Sequence, residues 1–230
     1  MTYKFSKKTL FLHPFAFLIA LCFFLPLLLG GCTQNVEYFD YVSELRNNIF
    51  LAEHGDLQLR IYSVTKEYPY AADGVAHEQT ARTEVYLLSP DGTKNYTFRL
   101  QNGGEEYGGE LAYDNVKSEY FLSFTLDVSA EKELPCILTC GEEKISLTAS
   151  SVLRNETLSP KDILSNVYTC APEVFDSLTD KHGFAGEIHL RLLYEDAPYY
   201  YVGVIDRNGT IHCFLVNAAN GKVLAQRKND

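Results

Sequence analysis

The groups in this 230-residue chain that could do chemistry are thiols, imidazoles, carboxylates and phenols. Cys136, Cys140, Cys170 and Cys213 lie in the body of the chain, while Cys22 and Cys32 belong to an apolar N-terminal stretch. No Cys-x-x-Cys occurs and no histidine stands at finger spacing, so no metal site is expected. His54, His77, His182, His189 and His212 could act as bases only beside a nucleophile, and none has a Ser or Cys at a diagnostic spacing. The nucleophile-elbow, zincin, phosphate-loop and dinucleotide signatures are all missing. No catalytic residue and no cofactor is expected.

Carboxylates gather in "NGGEEYGGELAYDN", where Glu105, Glu106, Glu110 and Asp114 stand among four glycines. Calcium favours carboxylates on flexible loops, but the Asp-x-Asp-x-Asp-Gly pattern is absent. The stretch reads as a solvated acidic loop, in which Gly104 should tolerate a side chain better than Gly209 does. Phenols are abundant, with 16 Tyr and no Trp. Tyr68 and Tyr70, in "EYPYAADG", either stack on a ligand or pin their own loop. In "APYYYVG" a period of two puts Tyr199 and Tyr201 on one face and Tyr200 on the other. One set is core; the other is an aromatic stripe for a partner. Tyr68, Tyr70, Tyr199 and Tyr201 are thus the candidate ligand-binding residues.

These groups need elements to hold them, and the first element is an address. Residues 1–31 carry Lys4, Lys7 and Lys8 and no acid, and Leu10 to Leu29 is apolar apart from His13 and Pro14. That pattern suits an export signal, and its length also suits a membrane span. Leu29-Gly30-Gly31-Cys32 resembles the bacterial lipobox, an apolar residue and two small ones before cysteine. The resemblance implies that residues 1–31 are a cleaved lipoprotein signal and that the Cys32 thiol takes diacylglycerol. Each buried CH₂ contributes about 0.8 kcal/mol, so two or three acyl chains anchor firmly. The chain is therefore expected at the cell membrane, lipid-anchored on its extracytoplasmic face.

The mature 199 residues keep 17 basic against 30 acidic side chains. A net charge of −13 argues against nucleic acid or bare anionic lipid as a partner.

Residues 32–48 read as the lipidated cysteine and a tether or short helix, since Tyr38, Val42, Leu45 and Ile49 recur at helical spacing. Residues 49–155 read as strands. Leu57, Leu59 and Ile61 alternate, as do Tyr96, Phe98 and Leu100, and Tyr120, Leu122, Phe124 and Leu126. "SPDGT" (89–93) predicts a hairpin turn. With "GEEK" (141–144) as a loop, Cys136, Leu138 and Cys140 share a face with Ile145, Leu147 and Ala149, Cys140 opposite Ile145. Cys136 and Cys140 would then be about 13 Å apart, too far to bridge. The whole suggests an antiparallel β-sandwich of immunoglobulin-like type.

Residues 159–230 change character. Ser159 can cap a helix, Pro160 suits its first turn and Asp162 its positive end. Ile163, Leu164, Val167 and Tyr168 form an apolar face, and Val174, Phe175 and Leu178 continue it past Pro172. Strands follow, with Asn208-Gly209 as a two-residue turn placing Val204 opposite Cys213 and Val202 opposite Leu215. The helix would pack on those four, with Cys170 approaching Cys213 as a pair of buried thiols or a bridge. "YYYVGVIDRNGTIHCFLVNAANGKVLAQR" resembles the end of a PepSY-like domain, with Asn217 where Asp is usual and Asn220 where Thr is usual. The 49–155 region is similar to uncharacterised lipoproteins of Gram-positive anaerobes.

The fold class expected is mainly β with an α+β end: an antiparallel sandwich, then a small helix-on-sheet module. The expected function is a non-enzymatic, envelope-anchored binding or accessory lipoprotein, with the membrane and an envelope protein or peptide as partners. Two other readings stay open: a peptidase modulator, implied by the PepSY resemblance, and an enzyme whose site assembles only in the fold.

Overall fold

The computed structural model describes residues 36–68, 75 and 77–229; Cys32 and Tyr70 lie outside them. From Val36 onward the chain forms one compact unit, mainly β and mostly antiparallel. Its first element corrects the helical reading of residues 38–49. A single 3-10 turn, Tyr38–Tyr41, leads directly into strand β1 (Val42–His54). Val42, Leu45 and Ile49 still reach the core, because β1 has an irregularity between Val42 and Glu44 and then a bulge between Arg46 and Asn48, each of which reverses which face the side chains meet.

That bulge is the structural centre of the molecule. Before it, β1 pairs in parallel with β12 (Glu187–Tyr194), Val42 opposite Ile188. After it, β1 pairs with β9 (Glu143–Ser151), Phe50 opposite Ser151. Its other edge stays with β2 (Leu57–Glu67) along almost its whole length. Asn48 makes the change of partner tolerable. Fully buried, it donates from Nδ2 to the carbonyls of Ser129 and Glu131 at 3.2 and 3.3 Å, and Oδ1 accepts from Ile49 N and Ser151 Oγ at 2.8 and 2.7 Å. Backbone groups that the ladder abandons are thereby satisfied.

After β1 the sheet curls into a nearly closed barrel. One wall is β2, β3 (Gln79–Leu88), β7 (Glu119–Phe124) and β6 (Ala112–Asp114). The other is β9, β8 (Glu133–Cys140), β4 (Tyr96–Asn102) and β5 (Glu105–Glu110). The far side closes by a second change of partner, since β5 pairs with β4 while β6, just past Leu111, pairs with β7. Side chains from both walls fill the interior, among them Phe50, Ile61, Leu87, Phe98, Leu100, Tyr120 and Leu138. Cys136 is part of this core, and burial pushes its thiol up to about 12.

Three expectations here are corrected. "SPDGT" is no hairpin, because β3 pairs with β2 and β7 and never with β4. The segment crosses the barrel end, where Tyr120 Oη donates to the carbonyls of Asp91 and Lys94 and its ring lies 4.8 Å from that of Tyr113. The acidic stretch is no loop but a hairpin strand, turned at Gly103 and Gly104. The β8–β9 turn has two residues and not four, so Cys140 faces Glu143 and Cys136 faces Leu147. A shift of two keeps the face, so the apolar set was right and the partners were not.

The second core lies between helices and sheet. Helix α1 (Pro160–Cys170) starts as its sequence predicts, with Ser159 Oγ accepting from Asp162 N at 3.2 Å. Ile163, Leu164 and Val167 are buried, and Val174 and Phe175 of α2 (Pro172–Asp176) join them. The two-stranded β10 (Thr179–Asp180) and β11 (Gly183–Phe184) lead into β12, β13 (Pro198–Ile205), β14 (Ile211–Asn217) and β15 (Val223–Asn229), in the order β15-β14-β13-β12-β1.

The register of β13 and β14 differs by one residue from the two-residue-turn reading. Val202 faces Phe214 and Val204 faces His212. The turn has three residues. Gly209 N donates to Asp206 O at 3.0 Å, and the Asp206 carboxylate accepts from Asn208 N and Thr210 N. Gly209 alone takes a positive φ, +85°, which is a type I turn closed by a left-handed residue. One residue of shift exchanges faces, so Val202, Val204, Phe214 and Val216 meet the helices while Cys213 and Leu215 look the other way. Cys213 therefore does not approach Cys170. All four cysteines of the described residues are free thiols; only Cys136 is buried, and Cys170 is exposed.

Candidate functional site

Period-two alternation gives the C-terminal sheet a second face, opposite the helices. On β12 it carries Glu187, His189, Arg191 and Leu193; on β13, Tyr199 and Tyr201; on β14, Cys213 and Leu215. The fully buried partners of these residues are Ile188, Leu190, Leu192 and Tyr200. Tyr200 is thus the core member of the tyrosine run, its hydroxyl pushed up to about 12 by burial.

Towards the 3-10 turn end this face is polar. Arg191 forks onto Glu44, Nε to Oε1 at 2.8 Å and Nη2 to Oε2 at 2.7 Å. Burial alone would raise the Glu44 carboxyl, but the hydrogen bonds and charge of Arg191 outweigh it and hold the carboxyl below its ordinary range. Arg191 Nη2 also lies 3.3 Å from His189 Nδ1. Arginine can only donate, so Nδ1 accepts, and the ring's Nε2–H donates to Glu187 Oε1 at 2.6 Å. Alternation with the apolar Ile188 and Leu190 predicts an exposed His189, but the side chain is half-buried in this network.

Tyr201 separates His189 from Cys213. Gly203 stands between them in the ladder, opposite both, and its missing side chain leaves room for the Tyr201 ring, whose Oη would lie 2.8 Å from a Cβ there. Tyr201 Oη and Cys213 Sγ are 3.4 Å apart, and Asn229 Nδ2 donates to the same sulfur at 3.6 Å. Burial, with the Cys213 contact second, pushes the Tyr201 hydroxyl up to about 12. Two strand spacings put the His189 and Cys213 backbones roughly 10 Å apart. The imidazole is therefore not placed to deprotonate the thiol. Among the described residues no three His, Cys, Asp or Glu side chains group as metal ligands.

At its other end the face becomes a cleft of about 600 Å³. Leu193, Tyr194, Glu195, Tyr199, Leu215 and Leu224 line one side; Arg46, Ile49, Leu51, Arg60 and Tyr62 line the other. Leu224, Tyr194 and Glu195 are exposed at its rim. The Arg46 guanidinium lies over the Tyr62 ring at 4.1 Å. Beyond it an aromatic row continues across the outside of the barrel: Tyr62 to Tyr86 at 5.1 Å, then Tyr86 to Phe121 at 5.0 Å between ring centres. Arg60 is held by Glu119 at 2.6 Å.

The tyrosines expected to bind a ligand are not brought together. Tyr199 lines the cleft, and Tyr201 sits on the same face beside the polar network. Tyr68 is 86% exposed and lines a separate hollow of about 360 Å³ with Arg82 and Phe121. Tyr70 lies outside the described residues. Arg46, Tyr62, Tyr86 and Phe121 were not foreseen. Each occupies an outward position on an amphipathic strand, but only the β1–β2–β3–β7 order sets them side by side.

Comparison of the chain with protein families, curated proteins and solved structures finds no match. Among the described residues no helix is long and apolar enough to cross a membrane.

Proposed function

We propose that this chain is an envelope-anchored lipoprotein whose β-rich body is a non-enzymatic binding or accessory module. The observation that carries the binding reading is the cleft: apolar walls, the rings of Tyr62 and Tyr199, two held guanidiniums (Arg46 over Tyr62, Arg60 on Glu119) and one exposed acid, Glu195, at a volume typical of small-molecule sites. The address rests on the Leu29-to-Cys32 motif after a basic and then apolar leader. In this reading the barrel is a sandwich whose edges are sealed by strands that change partner, and the helix-backed sheet is a PepSY-like module. The polar network does not set a base against its thiol. Glu44 is fully engaged by Arg191, and Tyr201 stands between the histidine and the thiol.

The address is tested by feeding cells a clickable fatty-acid analogue. Wild type should be labelled and membrane-bound, and Cys32→Ser should be neither. Normal labelling of Cys32→Ser would remove the lipoprotein reading and leave the cleft to be judged separately.

A further inference from the structure

We infer that the cleft binds an apolar carboxylate, the acid group on Arg46 and the hydrocarbon body between Leu193, Leu215, Leu224 and Tyr199. The inference rests on the binding-module reading and names the ligand's chemistry.

Arg46 is the key. Arginines and lysines around it meet acids: Arg191 meets Glu44, Arg60 meets Glu119, and Lys66 meets Glu84. Arg46 meets none among the described residues. Its Nη1 donates to Leu192 O at a long 3.5 Å, and its Nε is buried without a hydrogen-bond partner. A guanidinium offers five N–H donors in a rigid fork matched to a carboxylate. Stacking on Tyr62 fixes the plane of that fork, so less freedom is lost when an anion docks. A buried donor left unmatched costs free energy that a bound acceptor would recover.

The rest of the cleft sets the body of the ligand. Ile49, Leu51, Leu193, Leu215 and Leu224 offer no polar group, and Tyr199 offers a ring; the one acid of the lining, Glu195, is solvent-exposed, where water and salt screen its repulsion of a bound carboxylate. One unengaged arginine suits a single negative charge better than a phosphate's two. The chain's net charge of −10 does not gather anions from a distance, so contacts inside the cleft must supply the affinity. Either a free acid or the C-terminus of an apolar peptide would present this chemistry.

The test uses the full chain in lipid nanodiscs with labelled leucine methyls. Probes are 3-phenylpropionate, its neutral amide, and N-acetyl-Ala-Phe as free acid and as amide. The acids should saturably shift the Leu193, Leu215 and Leu224 methyls, each at least tenfold tighter than its amide. Preference between the two acids identifies the source. Arg46→Gln should lose at least tenfold for the acids and nothing for the amides, and Arg46→Lys should recover only part. Unchanged Leu100 and Leu138 methyls, inside the barrel, certify that the variants fold. If acid and amide bind alike, or Arg46→Gln binds the acids as wild type does, the carboxylate assignment is overturned while the cleft survives as a binding site. If no probe moves the cleft methyls, both are overturned.

Discussion

The barrel and the helix-backed sheet are built from the same kind of strand, yet they expose very different chemistry. In the barrel both walls turn their apolar faces inward, and Phe50, Phe98 and Tyr120 fill the space between them. Its two edges are sealed by strands that change partner. The C-terminal sheet has helices on one face only. Its other face keeps Arg191, His189, Tyr201 and Leu215 half in water, and there the polar network and the cleft collect. The difference teaches where function can reside in a β protein of this size: on the face that no layer covers.

The sharpest way to break the comparison is to unseal the barrel. Gly108 has φ +137°, and a Cβ there would lie 2.1 Å from the Phe98 carbonyl oxygen. Gly108→Ala should therefore push β5 off β4 and cost roughly 4 kcal/mol, the range reserved for strained backbone and lost packing. Urea midpoints measure this. A loss no larger than that of Gly104→Ala would mean the barrel does not depend on this closure.

A smaller effect probes the join between the two regions. Arg191→Gln removes the partner of a half-desolvated Glu44 and should cost about 2 kcal/mol at pH 7. The sign of its pH dependence follows from the carboxyl being depressed in the folded wild type. That stabilisation is present above the ordinary value of 4.5 and is lost as pH falls through the lowered one. Without Arg191, burial raises the same carboxyl, and stability is lost as pH rises instead. The gap between wild type and variant should thus narrow at pH 3.5. A gap of constant size would show that Glu44 ionisation does not hold β1 to β12.

The smallest effect sets one turn from each region side by side. Gly104 and Gly209 have φ of +86° and +85°, and at neither would an added methyl group find another atom within 4 Å. Alanine at either should cost about 1–2 kcal/mol from backbone strain alone. Equal drops in melting temperature are expected, against the unequal ones that an acidic loop would give. A clearly larger drop at one turn would show that its hairpin carries more than local strain.

Much of the architecture was legible because it is written in local patterns. The Ser159 cap, the period-two faces of β7 and β12, and the placement of Cys136 in a core each depend on residues close together in sequence. Pairing was not legible. Asp91-Gly92 carries the same dipeptide signal as a true hairpin, yet its strands end on opposite walls. The β13–β14 register turned on the Asp206 carboxylate, which holds a three-residue turn in place of the two-residue turn that Asn-Gly suggests. That single slip moved Cys213 and Leu215 from the helix side to the open side. The candidate site suffered most, because Arg46, Tyr62, Leu193 and Leu224 lie on four strands whose adjacency no local signal announces.

The division of β1 between two partners also has a kinetic meaning. One edge of β1 finds β2 within a few residues along almost its whole length, but the other must wait, the second half for β9 and the first half longer still for β12, with Val42 paired to Ile188. A chain made from its N-terminus holds that half-strand edge open until nearly all of the protein exists. Contacts so distant in sequence slow folding, and an open edge invites pairing with other chains. The strand that begins the fold is therefore also among the last to be completed, and the helix-backed sheet cannot be finished without a segment synthesised long before it.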